Sequence, residues 1–333
     1  MSICKQERNS LNILVTAIGS VSSETVCSIL KESNYTVFGC DVYPKEWLEQ
    51  ASYYDDFFQV PYVDDREEYL KCILHICKTN NINFIIPLID VEVDFYNDYR
   101  AEFKKNNIII GISSKRAVSL ARDKNRMMKF IEHECEIVKP IPTVKMSSIS
   151  LTGNDFPLVC KPNDGRSSQG MVIIETKGQL LELKKLKIHQ NYIVEPYIMG
   201  DRIVVDVVRQ AETNHIVAIP RRELISTPHG CGISVYVYND LKLEDECKKI
   251  AEKLGINGCV NFEFIKSKES EYYFLECNPR FSAGIAFTCL SGYDVVNNHV
   301  RCFFDGHDIE NKGEVQNQYV ARGYRERVTK KEN

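Results

Sequence analysis

The sequence predicts an α/β unit at the amino end followed by an α+β part built on antiparallel strands. Three stretches carry this expectation. Leu11 to Thr16 (LNILVT), a small-residue turn AIGSVSS, a helical SETVCSILKES and the strand-like YTVFGCDVYP read as strand, turn, helix, strand. PLVCKPNDGRSSQGMVII is a strand, a polar glycine loop and a second strand. VNFEFI and YYFLECN, joined by the charged link KSKESE, alternate as two neighbouring antiparallel strands.

The first stretch is a Rossmann-like βαβ pattern whose second strand ends in Asp41. Its turn holds one glycine, Gly19, where a dinucleotide loop needs three, and a lone acid at a strand end either holds a ribose or caps the next turn. A helix over Glu67 to Asn80 leads into NFIIPLID, a buried strand that presents Asp90 and Glu92 at the carboxyl edge of the sheet. The same acids also suit a helix N-terminus. IIIGI (Ile108 to Ile112) is a further strand, and SSKRAVSLARDKNRMMKFIEHE is a Ser-capped helix followed by the Pro-punctuated KPIPTV.

In the second stretch Lys161 projects a point charge, and Gly165, Ser167, Ser168 and Gly170 let the loop backbone approach phosphate oxygens while offering N–H and hydroxyl donors. NYIVEPYIMGDRIVVDVV follows as strand, hinge and strand. In IPRREL, adjacent residues of a strand face opposite ways, so only one of Arg221 and Arg222 enters a cleft. His229 lies in a loop, as a catalytic group or a plain loop residue. LEDECKKIAEKLGI reads as a helix packed against the hairpin, GYDVVNNHVRCFF as a second amphipathic helix, and the tail RERVTKKEN as frayed.

The hairpin carries the chemistry. Residues two apart on a strand share a face, so Glu276 and Asn278 point the same way and Glu263 faces them from the neighbouring strand. Two carboxylates and an amide oxygen, with no sulfur or imidazole, suit a hard cation such as Mg2+ or Mn2+. Both glutamates are set in apolar, aromatic runs, where an uncompensated carboxylate costs several kcal/mol. Arg280 follows the rigid Pro279, placed to steady negative charge. Cys277 alternates to the opposite face and packs.

Read as a whole, ECNPRFSAG resembles the Glu-x-Asn-Pro-Arg signature that closes the core of ATP-grasp ligases, and the resemblance runs over about residues 11 to 325. It implies a Rossmann-like pre-ATP-grasp domain over 1–112, a linker helix and lid subdomain over 113–198, a metal-bearing subdomain over 199–325 and a tail over 326–333. It further implies ATP and two Mg2+ ions as cofactors, the metals held by Glu263, Glu276 and Asn278. Asp123-Lys124 matches the pair that enters the nucleotide domain. Lys161 with Gly165, Ser167, Ser168 and Gly170 matches the phosphate lid, and Glu195, Tyr197 and Ile198 match the adenine hinge. Where the family carries a ribose-binding Glu this chain has Arg202, which accepts no hydroxyl hydrogen, so Asp201 or Glu195 is left for the ribose. Asp206 matches a strand acid, Asp90 and Glu92 match an acidic strand-end motif, and Arg221 or Arg222 faces phosphate and substrate carboxylate.

The implied reaction is ATP-dependent C–N bond formation between a carboxylate and an amine through an acyl phosphate, releasing ADP. Arg280 and one of Arg221 and Arg222 stabilise the transferring charge. The substrates implied are small, amino-acid or peptide-like, and a homodimer is one arrangement relatives adopt. Three alternatives stay open: phosphorylation of bicarbonate or carbamate, as in carbamoyl phosphate synthase; an NAD(P)-dependent oxidoreductase built on Gly19 and Asp41; and a nucleotide sensor that binds without turnover.

Composition narrows the classes. At 333 residues and 44% hydrophobic content the chain can fill several packed layers. A net charge of −4 with mixed signs gives no electrostatic case for nucleic acid or an anionic membrane. No apolar run approaches the ~20 residues a spanning helix needs, and MSICKQERNSLN has no apolar signal core, which reads as cytoplasmic. Its 13 cysteines are odd in number, scattered and without a CxxC pair, which reads as reduced core thiols.

Overall fold

The structure is a computed structural model that describes residues 11–150, 152–166, 169–186, 190–228, 230–304 and 306–331. The amino-terminal unit runs β1 (Asn12–Thr16), α1 (Ser23–Glu32), β2 (Thr36–Asp41), β3 (Asp56–Gln59), α2 (Arg66–Thr79), β4 (Phe84–Pro87), α3 (Asp90–Asp98), α4 (Arg100–Lys105) and β5 (Ile109–Ile110). Its five strands form a sheet of order β3-β2-β1-β4-β5 with every pairing parallel. Both faces are covered, which is why Ile13, Leu14 and Val15 are all fully buried rather than alternating.

A helical link of α5 (Lys115–Ala121) and α6 (Lys124–Glu134) leads to the short β6 (Val138–Pro140). The sequence reads this link as one helix. Instead it breaks where the Asp123 carboxylate accepts the Arg126 N–H at 3.0 Å as an N-cap. The lid subdomain follows as β7 (Val144–Lys145), β8 (Leu158–Pro162), β9 (Val172–Ile174), α7 (Lys177–Lys185) and β10 (Tyr192–Pro196), a four-stranded sheet of order β7-β10-β8-β9.

The remainder is β11 (Gly200–Gln210), β12 (His215–Ser226), β13 (Gly232–Val237), α8 (Leu241–Leu254), β14 (Gly258–Ser267), β15 (Tyr272–Asn278), α9 (Ile285–Leu290), α10 (Val295–Arg301) and β16 (Gln318–Ala321). These strands and β6 form a seven-stranded sheet of order β16-β13-β12-β11-β14-β15-β6. One face packs on α5, α6 and α8 through residues such as Ile203, Val205, Phe262 and Phe274. The opposite face packs at one end on α9, α10 and the amino-terminal unit, in one core that joins Ile13 and Phe84 to Val296 and Val300. Its other end is the floor of a cleft roofed by the lid.

Some expectations shift. β4 stops at Pro87, so Asp90 and Glu92 sit in the first turn of α3 and not on the strand. α8 lies chiefly over β12 and β11 beside the hairpin. The second amphipathic helix starts only at Val295, because Gly292 takes φ 107° and the Asp294 carboxylate caps from outside, accepting the Asn297 N–H at 2.9 Å. The tail is not frayed over its described part: Arg327 pairs with Glu49 at 2.7 Å and Arg325 with Glu24 at 3.2 Å, returning it to the amino-terminal unit.

Candidate functional site

The hairpin register sets Glu263 opposite Glu276 and Asn261 opposite Asn278. Their side chains emerge on the cleft face, where Asn278 Nδ2 donates to Glu263 Oε1 at 3.2 Å, Glu276 Oε1 at 3.3 Å and Asn261 Oδ1 at 3.2 Å. One amide thus ties both carboxylates together. Burial pushes the Glu263 carboxyl up, with Glu276 adding to the push and Arg202 opposing it. Burial also raises Glu276, but Lys124, Lys161 and Arg202 outweigh it and hold that carboxyl low. Cys277 faces the hydrophobic core on the other side.

Cations surround the pair. Lys124, the first residue of α6, lies 3.6 Å from Glu276 and donates to the Gly165 carbonyl at 2.7 Å. Its ammonium is desolvated, which lowers its pKa. Lys161, at the end of β8, pairs with Glu195 of β10 at 2.7 Å, and Thr143 Oγ1 donates to the same Glu195 at 3.0 Å. Arg202 donates through Nε to Glu263 Oε2 at 3.0 Å and through Nη2 to the same oxygen. The residue that departs from the family pattern therefore sits on an expected metal donor.

These groups separate two cavities. The larger, about 350 Å³, lies between lid and sheet and is lined by Lys124, Lys161, Gly165, Glu195, Tyr197 and Ile198 among others. The smaller, about 200 Å³, is lined by Arg221, Glu223, Asn278, Arg280, Ser282 and Gly284 among others. Arg202, Glu263 and Glu276 line both. Gly170, in the lid loop at φ 71°, stands between two residues that wall the larger one, Gln169 and Met171. Ser167, Ser168 and His229 lie outside the described residues.

Alternation resolves the arginine pair. Arg221 is 1% exposed and turned to the cleft face, where Nη1 donates to Asp206 Oδ2 at 2.5 Å and Nη2 to Ser282 Oγ at 3.0 Å. A side chain at Gly284 would begin 2.7 Å from that Nη2, so the glycine is a steric requirement of the arginine's position. Arg222 turns outward and pairs with Asp201 at 3.2 Å, and neither lines either cavity. Asp201 thus stands away from the larger cavity, while Glu195 lines it.

Arg280 Nη2 donates to Asp90 Oδ2 of α3 at 2.7 Å. Arg280 Nε and Glu223 Oε2 are buried and without a hydrogen-bond partner among the described residues, two polar atoms at the smaller cavity that a ligand could satisfy. Asp94, one turn beyond Asp90, pairs with Arg122 at 3.2 Å and with Arg166 of the lid loop. Sequence reading missed Asn261, Glu223 and Asp94. The first two stand two residues from Glu263 and Arg221, so the same period-two argument reaches them.

The donor set fits a hard cation at Glu276 and Asn278, where the charge is carboxylate and the remaining donor an amide. Glu263 fits less freely, because one of its oxygens is held by Arg202. Among the described residues no cluster of three or more His, Cys, Asp or Glu side chains forms an alternative centre. No described helix is long and apolar enough to cross a membrane.

Two stretches of the chain match known families. The family model described as ATP-grasp in the biosynthetic pathway with Ter operon matches residues 189–326, and that of the PylC-like N-terminal domain matches residues 13–111. A D-alanine–D-alanine ligase of Fusobacterium nucleatum is 33% identical over 147 residues, 40% of this chain and 49% of that ligase. A carbamoyl phosphate synthase large chain of Clostridium beijerinckii is 31% identical over 155 residues, 43% of this chain but 14% of that protein. The matched stretches therefore span at most about half of these relatives. Among solved structures, biotin carboxylase from Campylobacter jejuni superposes with a TM-score of 0.74 at 18% identity over 93% of this chain and 74% of its own. N5-carboxyaminoimidazole synthetase from Staphylococcus aureus gives 0.72 at 16% identity over 91% and 79%. The carboxylate-bearing sheet thus falls largely in a stretch that matches an ATP-grasp family model, behind a stretch that matches the PylC-like amino-terminal domain, and the chain shares the fold of these solved structures.

Proposed function

We propose that the protein is an ADP-forming ligase that joins a small carboxylate to an amine by way of an acyl phosphate. The observation that carries this reading is the shared wall: Arg202, Glu263 and Glu276 line both a nucleotide-scale cavity and a smaller one beside it. A phosphoryl group entering from the first cavity and an acceptor held in the second would meet at this wall. ATP fits the larger cavity, with adenine against Tyr197 and Ile198 of the hinge and phosphates toward Lys124, Lys161 and the lid loop. Glu276 and Asn278, with Oε1 of Glu263, the oxygen that Arg202 does not hold, would hold Mg2+, which supplies positive charge to the phosphate oxygens.

In the smaller cavity Arg221 and Arg280 present guanidinium groups to an acceptor carboxylate and to the charge that grows on the transferring phosphoryl group. Arg221 is the arginine for this role, since Arg222 faces away. Both cations are fixed before substrate arrives, Arg221 by Asp206 and Arg280 by Asp90, so little reorganisation is left for the reaction. The acceptor is small, because about 200 Å³ leaves room for a compact acid. The same size admits bicarbonate, the one specific observation in favour of carboxyphosphate formation as the second reading.

The test is ADP release from Mg-ATP with the purified chain, across a pooled panel of amino acids and dipeptides and with a bicarbonate-only control. Formation of ADP that depends on an amino acid is the expected result. Release with bicarbonate alone would transfer the protein to the carboxyphosphate reading. Tight ATP binding with no release under any condition would leave a sensor and overturn the ligase.

A further inference from the structure

A third cavity, about 400 Å³, lies in the amino-terminal unit and belongs to neither of those above. That volume is within the ~300–1,000 Å³ usual for small-molecule sites. It opens at the carboxyl ends of β1, β2 and β4, the crevice where the strand order of an open parallel sheet reverses and ligands bind. Leu48, Tyr43, Tyr62, Val63 and Ile89 supply apolar and aromatic walls, and no Lys, Arg or His is among its described lining residues. An anionic ligand would find no counter-charge there.

Its polar end is acidic. Glu92 is 5% exposed and among the described residues meets only neutral donors, Thr16 Oγ1 at 2.5 Å on Oε2 and the Tyr69 hydroxyl at 2.8 Å on Oε1. Burial pushes this carboxyl up to about 7, against the two hydroxyls and with a further push from Asp41. Asp41 is already used: its oxygens accept the Gly19 N–H at 2.8 Å and the Tyr43 N–H at 3.1 Å, closing the two loops that frame the cavity. With the Gly19 N–H so engaged, this turn cannot offer it to a phosphate, which weighs against a dinucleotide. The turn itself holds Ala17 at φ 55°, a left-handed conformation that costs a non-glycine residue energy and that clusters at ligand sites.

We propose that this cavity binds a primary amine carried on an apolar or aromatic body, with Glu92 as its counter-ion and Tyr43 and Tyr62 as the walls of its mouth. An ammonium would complete the charge balance of Glu92, and the tyrosine faces would add cation–π attraction. The inference does not depend on the ligase reading, since binding is measured without nucleotide.

The test uses Trp47, the single tryptophan, which stacks on Tyr43 with ring centroids 6.0 Å apart and so reports on the mouth. Tyramine and n-pentylamine are titrated into the full chain, with 1-pentanol and pentanoate as isosteres lacking the positive charge, by Trp47 fluorescence and calorimetry. The amines are expected to bind and the isosteres to bind at least about tenfold more weakly, the scale of one charge-assisted hydrogen bond. Glu92→Gln should lose about tenfold for the amines. Because Glu92 is buried and this variant could fail to fold, Tyr62→Ala is measured beside it. That side chain is 63% exposed, and about a threefold loss is expected from its missing ring. No amine binding by the folded wild type, equal binding of 1-pentanol, or variants that bind like wild type would overturn the proposal. An amine consumed in the ADP assay is a co-substrate and one returned unchanged is an effector; either result keeps the site.

Discussion

Arg280, on the loop that follows the last strand of the hairpin, is held by Asp90 of the amino-terminal unit at 2.7 Å, across 190 residues of sequence. Asp90 is 5% exposed and its other oxygen has no partner among the described residues. Burial alone would raise its carboxyl, but Arg280, with Arg122 and Arg166 beyond, outweighs burial and holds it below the ordinary carboxylate range. The two units thus share a charge pair beside the smaller cavity, and the position of Arg280 depends on both.

Asp90→Asn should therefore act twice. It leaves a buried guanidinium without its anion, a loss of about 3–5 kcal/mol read by urea unfolding. The sign with pH follows from the depressed pKa. The pair stabilises fully above the unfolded carboxylate value of about 3.9 and is lost as pH falls through the lower folded value, so the variant should show less extra unfolding below pH 4 than the wild type. An acid-unfolding profile identical in shape to wild type would remove Asp90 from this role.

Alanine at Asn278 or Arg280 is expected to lower kcat by about 10²-fold or more, because each acts where charge develops. Nucleotide affinity should change less in Arg280→Ala than in Lys161→Ala, since Lys161 lines the larger cavity and Arg280 the smaller. Steady-state kinetics with parallel ADP titrations checks this. Turnover near wild type in both would sink the assignment of the site.

Arg202 makes a sharper case. It is the cation on Glu263 Oε2 that a divalent ion would otherwise compete for. Arg202→Ala should tighten binding of Mn2+ alone, without nucleotide, by about tenfold or more, the worth of the charge-assisted hydrogen bonds it removes. The metal-free variant should meanwhile be less stable, with Glu263 left buried opposite Glu276 without its cation. Unchanged Mn2+ affinity by paramagnetic resonance titration would mean that Glu263 is no part of a metal site.

How much of this was legible in sequence depends on distance along the chain. Alternation placed Glu263, Glu276 and Asn278 on one face because strand period is local, and the observed register brings their side chains within hydrogen-bond reach. The same rule allowed only one of Arg221 and Arg222 into the cleft, without saying which. That choice is set by Asp206 and Ser282, contributed by other segments. Arg202 stood out as a mismatch, but its hold on Glu263, 61 residues on, comes from the pairing of β11 with β14. The break at Asp123 was hidden for a related reason. The helical pattern continues through it, and lid residue Asn163, which donates to Asp123 at 3.0 Å, helps fix the turn.

Arg221 tests whether a buried cation network is structural as well as chemical. It is fully buried and serves Asp206, Glu223, Ser282 and Thr288 together. Arg221→Met should cost about 3–5 kcal/mol, because two carboxylates are left buried without their cation. Arg221→Lys keeps the charge but loses the fork and should recover only part of that. If Met and Lys variants unfold at the same urea concentration as wild type, the network contributes nothing to stability.

His299 and Glu92 give the protein two opposed pH slopes. His299 of α10 is buried against Phe84 and Phe281, and its Nδ1 accepts the Cys259 N–H at 2.8 Å. Burial lowers its pKa to about 3, against an unfolded value near 6.5. The unfolded chain therefore binds the extra proton first, and stability falls as pH drops from about 6.5 toward 3, by roughly 1.4 kcal/mol per unit. Glu92 runs the other way. Its carboxyl is raised to about 7, so its contribution is full below the unfolded value of about 4.5 and is lost as pH rises through 7. Between about pH 4.5 and 6.5 the two partly cancel, which predicts a shallow plateau in the wild type. Glu92→Gln should replace that plateau with stability that climbs with pH, whereas His299→Asn should replace it with stability that falls. Urea midpoints at half-unit pH steps separate the cases, and a plateau that survives both substitutions would show that neither group sets it.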